Sequence, residues 1–203
     1  REEFRALMEW GRRIGMKTVG FFHADNEVGR AHLENVQIAA RELGMSVVLP
    51  LPIPSDTGDA PLDALAQKIA AVQPDLMFNH GSAGVYARLI ARARKAQART
   101  TFMAVNSGST QLASDLGPLA QGMVFAQVVP SPTERKHAIA REYQDAMKQS
   151  RPGAAPSYGS LEGYMTAKAL VLVLRECGRD LTRERLVRML ERSSLDLGGI
   201  SVR

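Results

Sequence analysis

The sequence predicts an α/β fold: a doubly wound parallel sheet followed by additional carboxyl-terminal helices. Three observations predict it. Along residues 1–130, short apolar runs alternate with amphipathic helical stretches, the pattern of successive βαβ units. The runs at 18–23 (TVGFFH) and 123–129 (MVFAQVV) are apolar almost throughout, as strands covered on both faces are. After Pro130 the alternation stops and only helical periodicity continues.

The elements follow in order. Residues 2–14 carry Phe4, Leu7, Met8 and Ile14 on one helical face, and Gly15 stands where that helix would stop. The first strand is 18–23. Asp25 and Asn26 are good capping residues for a helix reaching Leu43, with Leu33, Val36, Ala40 and Leu43 inward. The second strand is 46–53. Pro50, Pro52 and Pro54 make its later half an edge or take it out of the sheet. Pro61 opens a third helix with Leu62, Leu65, Ile69 and Val72 on one face. Strand three is 75–79 (DLMFN), then a helix over 82–96, strand four at 100–105 (TTFMAV), a short helical segment from Thr110, and strand five at 123–129. Right-handed crossovers give these pieces a doubly wound layout.

Beyond Pro130, a helix over 133–149 turns Ile139, Tyr143 and Met147 inward. Residues 151–156 (RPGAAP) read as a linker. The helix over 158–177 is apolar on several sides and is expected to be buried on more than one. Thr182 caps a last helix carrying Leu186, Met189 and Leu190, and residues 197–202 read as the start of a strand. The expected division is an α/β domain over 1–150 and a carboxyl-terminal part over 151–203.

With 45% hydrophobic and 23% charged residues, the composition is that of an ordinary globular protein. The net charge of +5 raises the question of a nucleic-acid partner. The densest basic cluster, Arg88, Arg92, Arg94, Lys95 and Arg99, lies opposite the apolar positions Val85, Leu89, Ile90 and Ala93 of one helix, with no interleaved aromatic residue. That is a solvated face rather than a base-stacking platform, so no nucleic acid is expected. No apolar run approaches the roughly 18 residues of a membrane span. The chain carries no signal peptide, and it opens at Arg1 inside a helical pattern, so it reads as a fragment or a processed chain. Cys177 is the single cysteine and sits in an apolar helix, where an inert buried thiol is expected.

Recognisable catalytic motifs are absent. There is no G-x-G-x-x-G after the first strand, no phosphate-binding G-x-x-x-x-G-K-[ST], and no G-x-S-x-G elbow. His23, His32, His80 and His137 show no metal-ligand spacing. No catalytic residue, cofactor or metal is expected. In an open parallel sheet, ligands bind outside the carboxyl ends of the strands. Those ends supply His23, Asp25 and Asn26 after strand one, Asn79, His80 and Ser82 after strand three, and Asn106 and Ser107 after strand four, with Gln127 in strand five. These eight edge residues, His23 to Ser107, are the candidate ligand-binding set. It is mostly neutral and hydrogen-bonding, suited to holding a small polar molecule. Asp25, Asn26 and Ser82 equally suit helix capping, and Asn106 and Ser107 equally suit a turn. His32 and His137 lie within helices and read as surface residues.

The order of these pieces resembles the second lobe of type I periplasmic substrate-binding proteins of the branched-chain amino acid-binding family. Asp25-Asn26-Glu27-Val28-Gly29 is similar to the family's D-x-x-[YF]-G turn, and Pro74-Asp75-Leu76-Met77-Phe78 to its P-D-x-[VIL]-x strand. The stretch 87–96 (ARLIARARKA), Leu119-Ala120-Gln121-Gly122-Met123, Tyr158 with Glu162-Gly163-Tyr164 and Ala167, and Leu197-Gly198-Gly199-Ile200-Ser201-Val202 follow in the family's order. The resemblance spans essentially the whole chain. It implies a two-lobed periplasmic receptor that closes on a small-molecule ligand and delivers it to an ABC permease. The helices of 151–203 would then pack with a first lobe whose opening half is absent. If so, the apolar surface of 158–177 is covered by a second copy, as a homodimer, or repacks on the remaining domain.

Two departures bear on the ligand. The turn's aromatic position is Val28, and the acidic position after strand four falls at or near Asn106. An ammonium buried without a counter-charge costs several kcal/mol. The expected ligand is therefore a carboxylate, an amide or another polar metabolite rather than a standard α-amino acid. Competing readings are the effector domain of a transcriptional regulator, a flavodoxin-like or Rossmann-like enzyme, and a plain interaction module. A regulator would carry a helix-turn-helix, and such an enzyme an anion-binding first turn, where this chain has acidic Asp25 and Glu27.

Overall fold

A computed structural model describes residues 2–54, 57–105 and 109–202. The chain divides into two compact units, Arg1–Gln127 and Val128–Arg203. The first holds α1 (Glu2–Arg13), β1 (Thr18–Ala24), α2 (Glu27–Glu42), β2 (Ser46–Ile53), α3 (Asp59–Val72), β3 (Leu76–His80), α4 (Ala83–Lys95), β4 (Thr101–Val105), α5 (Ser109–Leu116) and β5 (Val124–Ala126). The strands form one parallel sheet in the order β2-β1-β3-β4-β5. The α/β doubly wound expectation holds.

Strand alternation sends residues to two cores. Phe21, Phe78 and Met103 face α1 and α2, where Phe4 stacks on Phe78 at 5.1 Å and meets Phe21 edge-on at 5.6 Å. Phe22, Met77 and Phe102 face α3 and α4. There the fully buried Tyr86 of α4 donates its hydroxyl to Met77 O at 2.9 Å and Met103 O at 3.1 Å, tying the helix to β3 and β4. Burial pushes that hydroxyl's pKa up, so it stays a donor.

Local chemistry explains the boundaries. β2 runs through its prolines to Ile53 and lies at the sheet edge. Leu49, Leu51 and Ile53 are buried and Pro50 and Pro52 exposed, and an edge strand is where prolines are tolerated. α3 begins at Asp59, so Pro61 lies within its first turn rather than at its opening. β5 spans only Val124–Ala126, shorter than the run at 123–129, and Gln127 lies just past its end. The carboxylate of Asp75 accepts from Lys17 N at 2.8 Å and from Thr18 N and Thr18 Oγ1 at 2.9 Å, joining the start of β3 to that of β1. Those donors hold it below the usual carboxylate range. The basic helix face is neutralised locally: Arg88 pairs with Asp59 at 2.8 Å, and Arg92 with Asp59 at 3.0 Å and Asp63 at 2.8 Å.

The second unit holds α6 (Ala138–Ser150), α7 (Tyr158–Cys177), α8 (Arg183–Arg192) and an antiparallel hairpin of β6 (Leu195–Asp196) and β7 (Ser201–Val202). Its core is Ile139, Tyr143, Leu161, Met165 and Leu197. α6 starts later than the expected 133, because Gln144 Nε2 and the Arg141 guanidinium donate to the carbonyls of Pro132, Arg135 and Lys136 and hold that segment as a loop. α7 matches its expected bounds but buries only the stripe Leu161, Met165, Val173 and Cys177, leaving Leu170 and Val171 exposed. Thr182 caps α8 as expected. Gly198 and Gly199, both at positive φ, turn the chain between β6 and β7, so 197–202 is a hairpin turn and its returning strand. Among the described residues, no helix is long and apolar enough to cross a membrane.

Candidate functional site

The sheet order reverses direction at β1 and β3: from β1 the chain moves outward to β2, then returns to β3 on the other side. At such a switch point, crossovers leave on opposite faces and open a crevice at the carboxyl ends. Register sets which residues meet there. Phe22 is the partner of Asn79, and His23 of His80. Alternation puts His23 and His80 on the α1/α2 side, above Phe21 and Phe78, and leaves Asn79 beside Phe22 on the α3/α4 side.

His23 is 2% exposed and stacks on Phe21 at 5.6 Å. Its Nδ1 lies 3.0 Å from Ala24 O, a contact that makes Nδ1–H the donor and leaves a lone pair on Nε2. His80 is half-buried, and its ring stacks on that of His32 from α2 with centroids 3.6 Å apart. Phe4 meets both rings edge-on, at 6.0 and 6.5 Å. Burial holds His32 and His80 below the usual imidazole pKa, and for His80 the neighbouring His32 and His23 lower it further. Among the described residues, three buried ring nitrogens, His23 Nε2, His32 Nδ1 and His80 Nδ1, have no hydrogen-bond partner. Asn79 is 8% exposed, and its side chain makes no hydrogen bond among the described residues.

Other expected residues have local duties. Asn26 is the N-cap of α2 and accepts from Gly29 N at 2.9 Å. Ser82 is the N-cap of α4 and accepts from Val85 N at 3.4 Å. Asp25 is exposed and lies 3.6 Å from Arg30. Asn106 and Ser107 lie outside the described residues. The structure thus places His23 and His80 on the α1/α2 side of this strand edge and Asn79 on the opposite side beside Phe22, with the capping Asn26 and Ser82 on the same edge.

His32 corrects the sequence reading. It is not a surface residue, because it sits a turn before Val36, Ala39 and Ala40 on the inner face of α2. The spacing 32, 36, 39, 40 was the signal that could have placed it there. His137 is likewise not within a helix: it is the half-buried residue preceding α6. Gly29 explains the turn's glycine, since a Cβ there would lie 1.8 Å from Ala24 O. No side chain fits where α2 leaves β1 so tightly.

Beside the polar set lies a hollow of about 80 Å³, walled by Phe22, Ile53 and Val85 and rimmed by Ala24, Pro54, Gly81 and Ser82. A larger opening of about 920 Å³ lies by Gln73, Asp75 and Thr100, at the amino ends of β3 and β4. That is the wrong end of the strands for a switch-point site. Among the described residues no cluster of His, Cys, Asp and Glu could hold a metal ion.

The model of the periplasmic binding protein family matches residues 1–201. The chain belongs to that family. Solved structures of the same fold include an extracellular ligand-binding receptor from Verminephrobacter eiseniae, 23% identical with a TM-score of 0.83, matched over 98% of this chain and 57% of that one. A possible leucine/isoleucine/valine-binding protein from Rhodopirellula baltica is 26% identical at TM-score 0.83, over 98% and 56%. A fatty acid ABC transporter substrate-binding protein from Thermomonospora curvata is 21% identical at TM-score 0.80, over 98% and 53%. This periplasmic binding protein chain therefore spans little more than half the length of these structures. No curated protein matches it. Its family is one of substrate-binding proteins, in keeping with a polar, largely uncharged strand edge.

Proposed function

We propose that this chain is the ligand-binding lobe of a periplasmic receptor that captures a small polar metabolite at the carboxyl edge of β1 and β3 and delivers it to an ABC permease. One observation carries the reading. At the switch point, three buried imidazole nitrogens have no hydrogen-bond partner among the described residues, and the side chain of Asn79 makes no hydrogen bond there either. A core closed for stability alone satisfies such groups, since each one left unpaired costs about 1–3 kcal/mol. Polar groups left unmatched at the one edge where this topology binds ligands are groups held for something else.

The ligand is a carboxylate, an amide or a similar polar metabolite, not a free α-amino acid. The edge carboxylate among the candidates, Asp25, is 52% exposed at its side chain and already faces Arg30. A ligand ammonium would meet neutral Asn79 and His80 instead. His23, Asn79 and His80 form the centre of the proposed site, with Asp25, Asn26 and Ser82 around it; Asn106 and Ser107 remain candidates from the sequence.

Thermal-shift titration of the chain against acetate, acetamide, leucine and valine tests this. A ligand at about ten times its Kd stabilises by about 1.4 kcal/mol, and half a cleft calls for millimolar concentrations. Shifts with acetate or acetamide that Asn79→Ala abolishes are expected. Equal or larger shifts with leucine and valine would overturn the ligand assignment. The homodimer expectation rests on Leu170 and Val171 of α7, which stay exposed. A strictly monomeric chain in sedimentation would remove it.

A further inference from the structure

We infer that the amino ends of β3 and β4 form a second binding site, which takes a small multivalent oxyanion: phosphate, or the phosphoryl group of a phosphomonoester. It lies at the opposite end of the strands from the ligand site proposed above and does not rest on it.

The opening of about 920 Å³ at this end is lined in part by Asp75, Arg94, Gln97, Arg99 and Thr100. Thr100 carries the inference. It is 1% exposed, and its buried hydroxyl has no hydrogen-bond partner among the described residues. A threonine hydroxyl both donates and accepts, and it rotates to suit a partner. A valine of the same shape would leave nothing unpaired, so the buried hydroxyl weakens the free unit until something binds it.

Two arginines supply the matching charge. The half-buried Arg94 guanidinium lies over the Phe102 ring, 5.2 Å from its centroid. Among the described residues it makes one long hydrogen bond, to Gln121 O at 3.4 Å, which leaves most of its N–H donors open. The Arg99 side chain has no hydrogen-bond or ion-pair partner among the described residues. Its backbone is fixed from both sides. Arg99 N donates to Gln73 Oε1 at 2.8 Å, Gln73 Nε2 donates to Gln97 O at 3.2 Å, and Thr101 N donates to Asp75 O at 2.9 Å. The segment carrying Arg99 and Thr100 is therefore ordered before any ligand arrives, and binding does not have to order it.

Two features oppose an anion, and both are answered locally. Helix carboxyl ends are electronegative, but α4 places Lys95 beside Arg94 in its last turn. Asp75 is negative, but it accepts from Lys17 N, Thr18 N and Thr18 Oγ1, and the Lys17 charge acts on it. The balance at Arg94 and Arg99 stays positive. A guanidinium fork engages two oxygens of one anion at once. Two forks and a hydroxyl call for more oxygens than a carboxylate has, which a tetrahedral oxyanion supplies. The opening is also far larger than a bare phosphate, so a substituent on the phosphoryl group has room.

The isotopically labelled chain is titrated by NMR with potassium phosphate and with glycerol phosphate, with ionic strength held constant by potassium chloride. Saturable shifts of the Arg99, Thr100 and Thr101 amides are expected. Arg94→Gln and Arg99→Gln each remove charge-assisted bonds at a partly exposed position and should weaken binding about five- to tenfold. Thr100→Val should weaken it about two- to fivefold while leaving the urea midpoint of the free chain unchanged or raised. A damaged fold cannot give that combination. Asn79→Ala should leave phosphate binding as it is.

Tighter binding of glycerol phosphate than of phosphate assigns the site to a phosphorylated metabolite, and the reverse to the free anion; either supports it. Shifts that do not saturate, or that chloride alone reproduces, are screening of surface charge and overturn the inference. Phosphate binding that survives both arginine substitutions overturns it as well. So does a Thr100→Val chain that loses stability and still binds phosphate like wild type, because the hydroxyl is then structural.

Discussion

Acidification will destabilise the amino-terminal unit through the His32–His80 stack, and His32→Phe will remove the part of that loss that His32 carries. Both imidazoles have pKa values held below their ordinary 6.5, first by burial and, for His80, also by His32 and His23. The sign follows from linkage. Well above pH 6.5 both rings are neutral folded and unfolded, so they contribute no pH dependence. Below it the unfolded chain takes up protons first while the folded chain resists, and stability falls until the folded rings titrate. A proton bound only by the unfolded state costs about 1.4 kcal/mol per pH unit. The two rings are half-buried, and screening cuts the effect to about half. The pair can then cost at most about 1 kcal/mol between roughly pH 6.5 and pH 5.5. That corresponds to a fall of about 3–5 °C in the unit's midpoint. The carboxylates with depressed pKa, Asp75, Glu142 and Asp196, act only as pH falls below their ordinary 3.8 to 4.5, outside this window. Trp10 in α1 is the single tryptophan, so its fluorescence in urea or on heating reports this unit alone. Phenylalanine at 32 keeps an aromatic ring against His80 and removes both its own titration and its repulsion. Equal pH slopes for the two proteins, or stability that rises on acidification in this window, would refute the reasoning.

Other perturbations address the frame around the site. Gly29→Ala places a methyl 1.8 Å from Ala24 O and should cost about 3 kcal/mol or more, read as a lowered urea midpoint; a loss under 1 kcal/mol would show that α2 can shift freely. Tyr86→Phe removes the donor to Met77 O and Met103 O and should cost about 1–2 kcal/mol, with no change in ligand affinity by titration. Asp75→Asn loses a carboxylate that accepts from Lys17 N, Thr18 N and Thr18 Oγ1 and, being exposed, should cost about 1–2 kcal/mol at neutral pH. Because that carboxyl's pKa is depressed, its contribution is present above 3.8 and disappears as pH falls further, so wild type and variant should converge in acid melts.

The parallel sheet was legible because its signals are local. TVGFFH and DLMFN are short, apolar and flanked by capping residues, and each became a strand within a residue or two of its expected bounds. Boundaries failed where non-local groups decide them. The sequence 133–137 is compatible with helix, but carbonyls accepting from Arg141 and Gln144 hold it as a loop. The breadth of apolar character in 158–177 overstated its burial, because periodicity reports how much surface could be covered and not what covers it: Leu170 and Val171 stay exposed. At the edge, His23, Asn79 and His80 could be placed from the rule for strand ends alone. His32 could not be assigned by that rule, since it reaches the edge from a helix.

What the histidines add is a reason for the edge to be built from neutral groups. An aspartate at His80 would repel a carboxylate head, and a lysine would bind it strongly but offer little selection between anions. A stack of imidazoles kept uncharged by burial, beside one amide and one apolar floor, discriminates by hydrogen bonding and shape instead. The energetic consequence is visible within the unit itself: three buried nitrogens without partners, in a fold that satisfies Tyr86 and Asp75 fully a few residues away. The same chain that uses a buried tyrosine hydroxyl to lock α4 onto β3 leaves Nδ1 of His80, at the end of β3, without a partner among the described residues, where the crossovers separate. If ligand binding relieves that imbalance, the acid sensitivity derived above should shrink when acetate is bound. If the orphaned nitrogens are only a packing accident, ligand and pH should act on stability independently.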